Sequence, residues 1–535
     1  MAVISWEGMP MSKQPSYGTQ SMVVSPHHLA SAAGARMLER GGNAFDAAVA
    51  VSAALAVVYP HMTGLGGDAF WLCYSAEEER VRAYNGSGRS GGEVLLACYE
   101  GESEIPRRGA RAAITVPGMA DSWEAVQSRY GRLTLADALE SAIGYAAEGF
   151  PMSPDQHRNT LRVGSALSGE AVPIYIPGGR MPQPGDHFIQ PDLARSLSLL
   201  AAGGRDVFYQ GEIAERICGG LARSGGYLQP ADFAEHRGLW CEPVSTTYHG
   251  YTMYQVPPNS QGFTALMTLN ILEYFDFGAV PHGSYAYYHL LIEAIKASFR
   301  DRDAVLTDPE FAEIPLEVLL DKKYAARLAA SISFDKASSV TSQPVGRDTA
   351  YAAVVDSEGN AVSFIQSLYF EFGAGIAPGG TGILLQNRGS FFSLNPSAIN
   401  RLAPRKRTFH TLMPALAMRN GKPAILYGTQ GGEGQPQTQT LLLTRLLHYG
   451  MNPQEAVDQP RFVWGRTWGE PTEALTVERR VGPEVLAALA AAGHQVRTAA
   501  DYDGLAGHAH VIVIDENGRK YGGTDPRCDG AAICR

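Results

Sequence analysis

The stretch GRDTAYAAVVDSEGNAVSFIQ, from Gly346 to Gln366, predicts a strand, a tight turn and a second strand, with Thr349 directly before the first strand. Two similar hairpins follow, in PALAMRNGKPAILYG and HVIVIDENGRKYGG. Each places Gly, Asn or Asp where the chain must reverse. The segment from Asp335 to Thr349 is rich in small polar residues, so we expect an exposed loop that ends at Thr349.

Helices are predicted mainly in the first half of the chain. SPHHLASAAGARMLERGGNAFDAAVAVSAALAVVYPHM begins with Ser-Pro as a helix start, breaks at Gly41-Gly42 and continues as an alanine-rich helix that ends before Pro60. That second helix is apolar nearly all round, which is typical of a helix inside a protein. TLADALESAIGYAAEGF and EAIKASFRDRDAVL predict further helices, and AFWLCYSAEEERVRAYNGSG predicts two strands. Early helices and late hairpins favour an α+β fold, with sheets covered by helices, over alternating βαβ units.

The composition is that of an ordinary globular protein. The 535 residues are 45% hydrophobic and 18% charged, with a net charge of -10 and no dense Lys/Arg block, so neither nucleic acid nor a membrane surface is an expected partner. The one basic cluster, Pro404 to Arg407 (PRKR), is interpreted as a solvated loop. The six cysteines lack the spacing of a metal site, and no metal or cofactor is expected. No apolar run of about 18 residues and no signal peptide is recognised, which predicts a cytoplasmic protein.

Several common motifs are absent from the chain, namely GxSxG, GxxxxGK[ST] and HExxH. GLGGDAF, from Gly64 to Phe70, follows a predicted helix and is interpreted as a tightly packed turn and not as a dinucleotide loop. Thr349 offers different chemistry. If the Asp348–Thr349 bond were cut, Thr349 would carry both a hydroxyl nucleophile and an α-amine, whose ordinary pKa of about 8 suits a base. Glycines of GTQGGEG, after a predicted strand, could supply N–H groups to an oxyanion, although a plain turn is the alternative.

A longer stretch, DTAYAAVVDSEGNAVSFIQSLYFEFGAGIAPGGTGILLQNRGSFFS, resembles the start of the small subunit of γ-glutamyltransferases. GGNAFDAAVA, HMTGLGGDAF, TVPGMADSW, PPNSQG and GGEGQPQTQ resemble further blocks of that family in the same order, from about Tyr17 to the final DPRCDGAA. The resemblance implies a cofactor-free N-terminal-nucleophile (Ntn) hydrolase with a four-layer αββα sandwich. It also implies self-cleavage between Asp348 and Thr349 into a large subunit, 1–348, and a small subunit, 349–535, that together form one domain.

The resemblance also implies roles for individual residues. Thr349 is the nucleophile, and Gly431 and Gly432 form the oxyanion hole. Ser367 stands where the family has a threonine whose hydroxyl touches the nucleophile. Arg89, in NGSGRSG, stands in the place of the arginine that grips the substrate carboxylate, a role that suits the bidentate guanidinium.

The chain departs from the family where transferases read the substrate's α-ammonium. The family's Asn-Gln-x-x-Asp run reads QNRGSFF here, so Arg388 replaces the Gln and Phe391 replaces the Asp. Tyr369 lies near the place of a family asparagine, and His410-Thr411 replace a serine pair. A phenyl ring cannot form an ion pair with an ammonium group, and an arginine repels one. We therefore expect these five residues to line a substrate site that has lost the family's reader of the amino group.

These changes resemble the branch of the family that includes oxamate amidohydrolases and acylases of non-glutamyl amides. The preferred interpretation is an amidohydrolase whose small amide substrate has a carboxylate in its acyl part. Two alternatives stay open: a true γ-glutamyltransferase or glutathione hydrolase, in which another carboxylate such as Glu371 reads the amine, and an uncleaved, non-catalytic homologue. A homodimer and the identity of the acceptor are left open as well.

Overall fold

The computed structural model describes residues 14–340, 348–465 and 473–535, without the side chain of Asp348. The described residues contain sixteen α-helices. In chain order these are α1 (His28–Glu39), α2 (Ala44–Val58), α3 (Met119–Tyr130), α4 (Leu135–Glu148), α5 (Pro154–Val163), α6 (Ala171–Tyr175), α7 (Pro191–Tyr209), α8 (Glu212–Arg223), α9 (Pro230–Glu235), α10 (Gly262–Leu272), α11 (Tyr285–Val305), α12 (Leu316–Leu319), α13 (Lys322–Ala330), α14 (Gly434–Leu447), α15 (Pro453–Asp458) and α16 (Pro483–Ala491).

The described strands are β1 (Ser16–Gly18), β2 (Met22–Ser25), β3 (Asp68–Ser75), β4 (Arg80–Gly86), β5 (Phe150–Pro151), β6 (His187–Phe188), β7 (Leu239–Cys241), β8 (Val244–Tyr248), β9 (Tyr251–Gln255), β10 (Asp348–Val355), β11 (Ala361–Tyr369), β12 (Ala415–Arg419), β13 (Lys422–Thr429), β14 (Phe462–Trp464), β15 (Ala474–Glu478), β16 (Gln495–Ala499), β17 (Ala509–Ile514), β18 (Lys520–Thr524) and β19 (Ala531–Cys534). Most of them form two seven-stranded antiparallel sheets. Sheet I has the order β19-β2-β10-β11-β3-β4-β7, and sheet II has the order β1-β18-β17-β13-β12-β9-β8.

The two sheets stack face to face and are covered by helices on both outer sides. Apolar side chains of β2, β3, β10 and β11 pack against those of β12, β13 and β17 in a core between the sheets. The outer face of sheet I packs against α1, α2, α3, α4, α7 and α8. The outer face of sheet II packs against α10, α11, α13, α14, α15 and α16. This arrangement confirms the predicted four-layer αββα sandwich.

The structure contains the hairpins and helices that the sequence predicts. β10–β11, β12–β13 and β17–β18 are antiparallel pairs, as are β3 and β4. Asn420 and Gly421, between β12 and β13, both have positive φ, as a two-residue hairpin turn requires. Gly41 has a φ of 89° and ends α1, and every residue of α2 is buried. The start of α1 differs from the prediction, because its N-cap is His27, after the Ser-Pro pair.

The interpretation of PRKR as a solvated loop was wrong in part. Arg405 is exposed, but Lys406 and Arg407 are buried, since Lys406 Nζ donates to the carbonyls of Ile399 and Arg401 and Arg407 donates to backbone carbonyls as well. GLGGDAF does form a packed turn, in which a Cβ on Gly66 would lie 2.1 Å from a backbone oxygen.

The predicted exposed loop before Thr349 is described only in part. Residues 335–340 are exposed or half-buried, and 341–347 lie outside the described residues. Among the described helices, none combines the length and apolar character that crossing a bilayer requires.

Candidate active site

Thr349 lies near the start of β10, where the pairing with β11 is irregular. Asp348 is opposite Tyr369 and Ala350 is opposite Gln366, so a bulge between them displaces Thr349 from the regular ladder. The side chain of Thr349 is 1% exposed, and its Oγ1 has no hydrogen-bond partner among the described residues. A buried hydroxyl without a partner is costly, and native proteins keep such groups mainly where they serve a function.

Ser367 and Tyr369 shape the end of β11 opposite the bulge. Ser367 Oγ accepts the N–H of Tyr369 at 2.7 Å. Tyr369 has a φ of 85°, a left-handed conformation that is strained for a residue with a bulky side chain. The strained turn directs the chain from the strand into the loop that carries Glu371. Ser367 and Tyr369 thus lie on the strand that pairs with Thr349, and a contact between the hydroxyls of Ser367 and Thr349 stays a prediction.

Gly431 and Gly432 lie in the loop between β13 and α14, with φ angles of 126° and 52°. In the described part of the chain, neither N–H group has a hydrogen-bond acceptor. Gln261 holds the loop in place, since its Nε2 donates to the carbonyls of both Gly432 and Thr411 at 3.0 Å. Free N–H groups at the start of a helix form a site for a negatively charged oxygen.

A buried arginine, Arg302, joins Gln261 to the loop that contains Gly431 and Gly432. Its guanidinium donates to Gln261 Oε1 and to Glu433 Oε1, both at 2.8 Å, and also to Asp303. Burial lowers the pKa of Arg302, but the carboxylates of Asp303 and Glu433 outweigh this effect and raise the pKa above its ordinary value. Arg302 is therefore a charged residue with its partners in place.

Asp68, at the start of β3, is a buried carboxylate beside the predicted substrate residues. Its Oδ1 accepts from the N–H groups of Gly88 and Gly118 and from Gln386 Nε2, at 3.0–3.2 Å. Its Oδ2 lies 3.1 Å from Nε2 of His410. Burial raises the pKa of Asp68 to about 7, although Arg388 and the hydrogen bonds partly oppose this shift.

His410 is a neutral histidine in this arrangement. Its Nδ1 accepts the N–H of Leu412 at 3.3 Å, so the ring proton belongs on Nε2 and points at Asp68. Burial and the nearby Arg388 guanidinium hold the pKa of His410 well below its usual range. His410 thus contacts the site through Asp68 and does not act as a cation at neutral pH.

Arg388 is a buried cation with few partners among the described residues. Its Nη1 donates to Thr411 Oγ1 at 3.4 Å, and its guanidinium lies 4.2 Å from the centre of the Tyr369 ring. Nε and Nη2 are buried, and the described residues supply no acceptor for either of them. Burial lowers the pKa of Arg388 to about 10, so the side chain stays charged at neutral pH. A buried guanidinium with two unsatisfied N–H groups is arranged to receive an anion.

Phe391 and Tyr369 lie in contact and line a cavity of about 740 Å³. Arg107, Arg302 and Phe409 also line it, whereas Thr349 is not among the lining residues. The apolar rings supply no negative charge on this side of Arg388. Arg388 is not among the lining residues either, so the place of Phe391 beside the substrate stays a prediction.

Arg89 and Glu371 have partners elsewhere. The guanidinium of Arg89 is paired with Glu310 and is 30% exposed, in a separate cavity of about 340 Å³ that Thr349 does not line. Glu371 is buried and its carboxylate is paired with Arg162. Among the described residues no contact joins Arg89 to Thr349 or Arg388, so its role as a carboxylate clamp stays a prediction.

Sequence reasoning missed Asp68, Gln261 and Arg302 as parts of the site. Asp68 lies in GLGGDAF and Gln261 in PPNSQG, two blocks that carried the family resemblance, so the blocks held a signal for both residues. Arg302 lies in a helical stretch, RDRDAV, where a charged residue ordinarily predicts a solvated helix face.

Comparisons with known proteins identify the family of the chain. A family model described as gamma-glutamyltranspeptidase matches residues 30–534. The chain is 60% identical over 518 residues to the glutathione hydrolase-like YwrD proenzyme of Bacillus subtilis (strain 168), a match that covers 96% of this chain and 98% of that protein. It is 41% identical over 521 residues to the oxamate amidohydrolase proenzyme of Klebsiella pneumoniae, with 96% and 98% covered.

Similarity extends to solved structures. The crystal structure of cephalosporin acylase from Bacillus halodurans superposes with a TM-score of 0.91 at 35% sequence identity, covering 100% of this chain and 99% of that one. Sequence and fold therefore agree along nearly the whole chain. The protein belongs to the gamma-glutamyltranspeptidase family of enzymes.

Proposed function

We propose that the protein is a self-processing threonine amidohydrolase that hydrolyses a small amide whose acyl group carries a carboxylate. The observation that carries this proposal is Arg388, a buried guanidinium whose Nε and Nη2 find no acceptor among the described residues. A substrate carboxylate would supply both the missing acceptors and the missing negative charge. The relatives named as oxamate amidohydrolase and cephalosporin acylase support an amide substrate.

Self-cleavage comes first in this mechanism. Oγ of Thr349 attacks the carbonyl carbon of Asp348, the C–N bond between the two residues breaks, and an ester replaces the amide while the α-amine is released. Water then hydrolyses the ester and leaves Thr349 as a new N-terminus. The bulge at the start of β10 and the unpartnered hydroxyl support this step, as do the relatives whose names include the word proenzyme.

Substrate turnover uses the same hydroxyl with the new α-amine as its base. The amine takes the proton of Oγ, Oγ attacks the amide carbon, and the N–H groups of Gly431 and Gly432 hold the resulting oxyanion. The leaving amine receives the proton, and an ester of Thr349 remains. Water adds to this ester in the same way and releases the carboxylic acid.

The pocket disfavours a donor with an α-ammonium group. Phe391 offers no negative charge, Arg388 repels a cation, and Glu371 already pairs with Arg162. Leaving an ammonium buried and unpaired costs several kcal/mol. A donor that has the carboxylate and lacks the amine avoids this cost, which supports an amidohydrolase over a γ-glutamyl transferase.

A glutathione hydrolase is the second candidate, and the YwrD relative at 60% identity is the observation in its favour. Such an enzyme would have to read the substrate's ammonium with a carboxylate. Asp68 is a buried carboxylate in this region, but it already has four hydrogen-bond partners. This arrangement makes glutathione hydrolysis the weaker proposal.

The proposal is tested by mass spectrometry and N-terminal sequencing of the purified protein, followed by an assay of ammonia release from oxamate. We expect a fragment that ends at residue 348, a fragment that begins at Thr349, and turnover of oxamate by the cleaved form only. A single intact chain in an active preparation would contradict the mechanism and support a non-catalytic role for the Ntn fold.

A further inference from the structure

A buried cluster of four polar side chains lies between α11 and the segment that joins α16 to β16. Its members are His289, Glu293 and Lys296 of α11, together with His494, and none is more than 6% exposed. The ligand-type atoms of His289, Glu293 and His494 lie within 4.8 Å of one another, a spacing that a metal ion could use. The mechanism proposed above makes no use of this cluster.

The hydrogen bonds inside the cluster leave no vacancy for a cation. Nε2 of His289 donates to the carbonyl of Ser333 at 2.7 Å, so Nδ1 of His289 is the acceptor for Nε2–H of His494 at 2.9 Å. Nδ1 of His494 lies 3.4 Å from the ammonium of Lys296, which also donates to Glu293 at 2.8 Å. One choice of tautomers therefore satisfies all four side chains, and the Lys296 ammonium already lies between the imidazole and the carboxylate.

The charges in the cluster fit the same assignment. Burial and the Lys296 ammonium lower the pKa of His494 to about 4, so its ring is neutral at physiological pH. Lys296 and Glu293 form a buried ion pair in which each charge has the other as its partner. Removing one member of such a pair leaves an uncompensated buried charge, so the cluster acts as a unit.

The cluster also binds the backbone of residues 333–338, which we call the tail. Lys296 Nζ donates to the carbonyl of Ser338 at 3.0 Å, and the N–H of Ser338 donates to Glu293 Oε2 at 2.9 Å. The N–H of Ala337 donates to the carbonyl of Ala492 at 2.8 Å. The tail itself is largely exposed, so buried side chains fix a segment that has little core of its own.

The tail lies between α13 and the proposed cleavage site. It lies near the end of the proposed large subunit, and residues 339–347 join it to Asp348, whereas Ala492 and His494 belong to the proposed small subunit. Anchoring the tail leaves residues 339–347 as the segment between two fixed points, the tail and β10. A shorter free loop loses less entropy when its ends are held in place.

We propose that His289, Glu293, Lys296 and His494 form a positioning network that anchors the tail, which speeds self-cleavage and afterwards keeps the C-terminal end of the large subunit on α11, at its contact with the small subunit. This inference rests on the proposed cleavage at Asp348–Thr349. The four residues are positioning residues, since they act through the tail backbone and not on the reacting atoms.

Lys296→Met and Ser338→Pro test the network from its two sides. Lys296→Met removes the ammonium that joins the cluster to the tail, and Ser338→Pro removes one tail N–H while leaving the cluster side chains intact. Lys296→Arg keeps the cation and serves as the rescue variant. Lys322→Met is the matched control, because Lys322 also joins a glutamate to a backbone carbonyl but does not touch the tail.

Two readouts are measured on each full-length chain: the rate of cleavage in freshly translated protein, and hydrogen exchange in peptides that cover 333–340. We expect Lys296→Met and Ser338→Pro to slow cleavage about tenfold, which corresponds to one charge-assisted hydrogen bond, and to speed exchange in the tail. Lys296→Arg and Lys322→Met should cleave and exchange like the wild type. Once cleaved, all four variants should turn over substrate within about twofold of the wild type, since none touches the site.

The possible failures are distinguishable. A wild-type chain that never cuts would overturn the proposed function, and the cleavage role of the network with it. A wild-type chain that cuts, together with variants that cut equally fast, would overturn this inference alone. Stoichiometric Zn²⁺ binding that is lost in His494→Ala would also overturn it and would identify the cluster as a metal centre.

Discussion

Arg302 and Arg388 are both fully buried, yet their surroundings differ. Arg302 has Gln261, Glu433 and Asp303 as acceptors, and its pKa is raised above the ordinary value. Arg388 has Thr411 and an aromatic ring, two N–H groups without acceptors, and a lowered pKa. A buried charge with its partners in place holds a structure together, whereas a buried charge without them is prepared for a ligand. The contrast supports our proposal that Arg302 belongs to the scaffold and that Arg388 receives the substrate carboxylate.

The largest expected effect is that of Thr349→Ala. Without the hydroxyl neither the cut at Asp348–Thr349 nor acyl transfer can occur, so the variant should stay one chain and show only background activity. Thr349→Ser keeps a hydroxyl and is the control that should still cleave. A denaturing gel and an amidase assay measure both outcomes, and a Thr349→Ala chain that still cuts at this bond would exclude Thr349 as the nucleophile.

A stability measurement tests whether Arg302 and Arg388 differ in their contribution to the fold. Arg302→Met leaves Glu433 buried without its cation and should lower the free energy of unfolding by about 3–5 kcal/mol. Arg388→Met removes an unsatisfied charge and should change it by less than about 1 kcal/mol. Urea denaturation of both variants in the uncut Thr349→Ala background gives the difference. Equal losses would show that Arg388 is also part of the scaffold.

Steady-state kinetics tests whether Arg388 or Arg89 binds the substrate carboxylate. Arg388→Lys keeps a positive charge but loses the bidentate geometry, so kcat/KM for a carboxylate-bearing amide should fall by about 1.5–3 kcal/mol, on the order of 10–100-fold. Arg89→Lys should change kcat/KM by no more than about threefold, because Arg89 already forms a partly exposed ion pair with Glu310. Self-cleavage should be unaffected in both variants. The reverse order of effects would return the carboxylate clamp to Arg89, as the family resemblance implies.

The smallest predicted effect concerns the carboxyl group of Asp68, which interacts electrostatically with the guanidinium of Arg388. Its pKa is raised to about 7 in the folded protein, above the ordinary value of 3.8. The folded state therefore holds its proton more tightly than the unfolded state, and the stability from this group is lost as pH rises toward 7.

We expect the free energy of unfolding of the uncut Thr349→Ala protein, relative to the same protein carrying Asp68→Asn, to fall by about 1–2 kcal/mol between pH 5 and pH 7. Comparison with Asp68→Asn is needed because the buried His410 and His236 have lowered pKa values and shift stability in the opposite direction. A difference between the two proteins that does not change with pH would contradict the raised pKa of Asp68.

Local sequence patterns predicted the elements of the fold well. The hairpin at Asn420-Gly421 and the break between α1 and α2 depend on turn residues whose conformations are set by neighbours in the chain. The αββα layering followed from the family resemblance and not from these patterns. Burial of Lys406 and Arg407 was missed, because it depends on carbonyls and carboxylates that distant segments bring to them.

The residues of the candidate site could be named from the sequence, but the balance of charges around them could not. Thr349, Gly431, Gly432 and Arg388 were all named from the sequence, and the structure places Arg388 and Thr411 in contact. No pattern could indicate that Arg302 is saturated while Arg388 is not, since both are single arginines in ordinary stretches. The number of acceptors around a buried guanidinium is a property of tertiary packing alone.

The most direct test of the account is the kcat/KM of the cleaved wild-type enzyme for glutaryl p-nitroanilide and for γ-glutamyl p-nitroanilide. These two donors share the anilide and the carboxylate and differ in the α-ammonium group. The account predicts a higher kcat/KM for the glutaryl donor, because in the proposed site Arg388 receives a carboxylate and neither Arg388 nor Phe391 attracts a cation. A clear preference for the γ-glutamyl donor would contradict the amidohydrolase proposal and establish the protein as a γ-glutamyl enzyme.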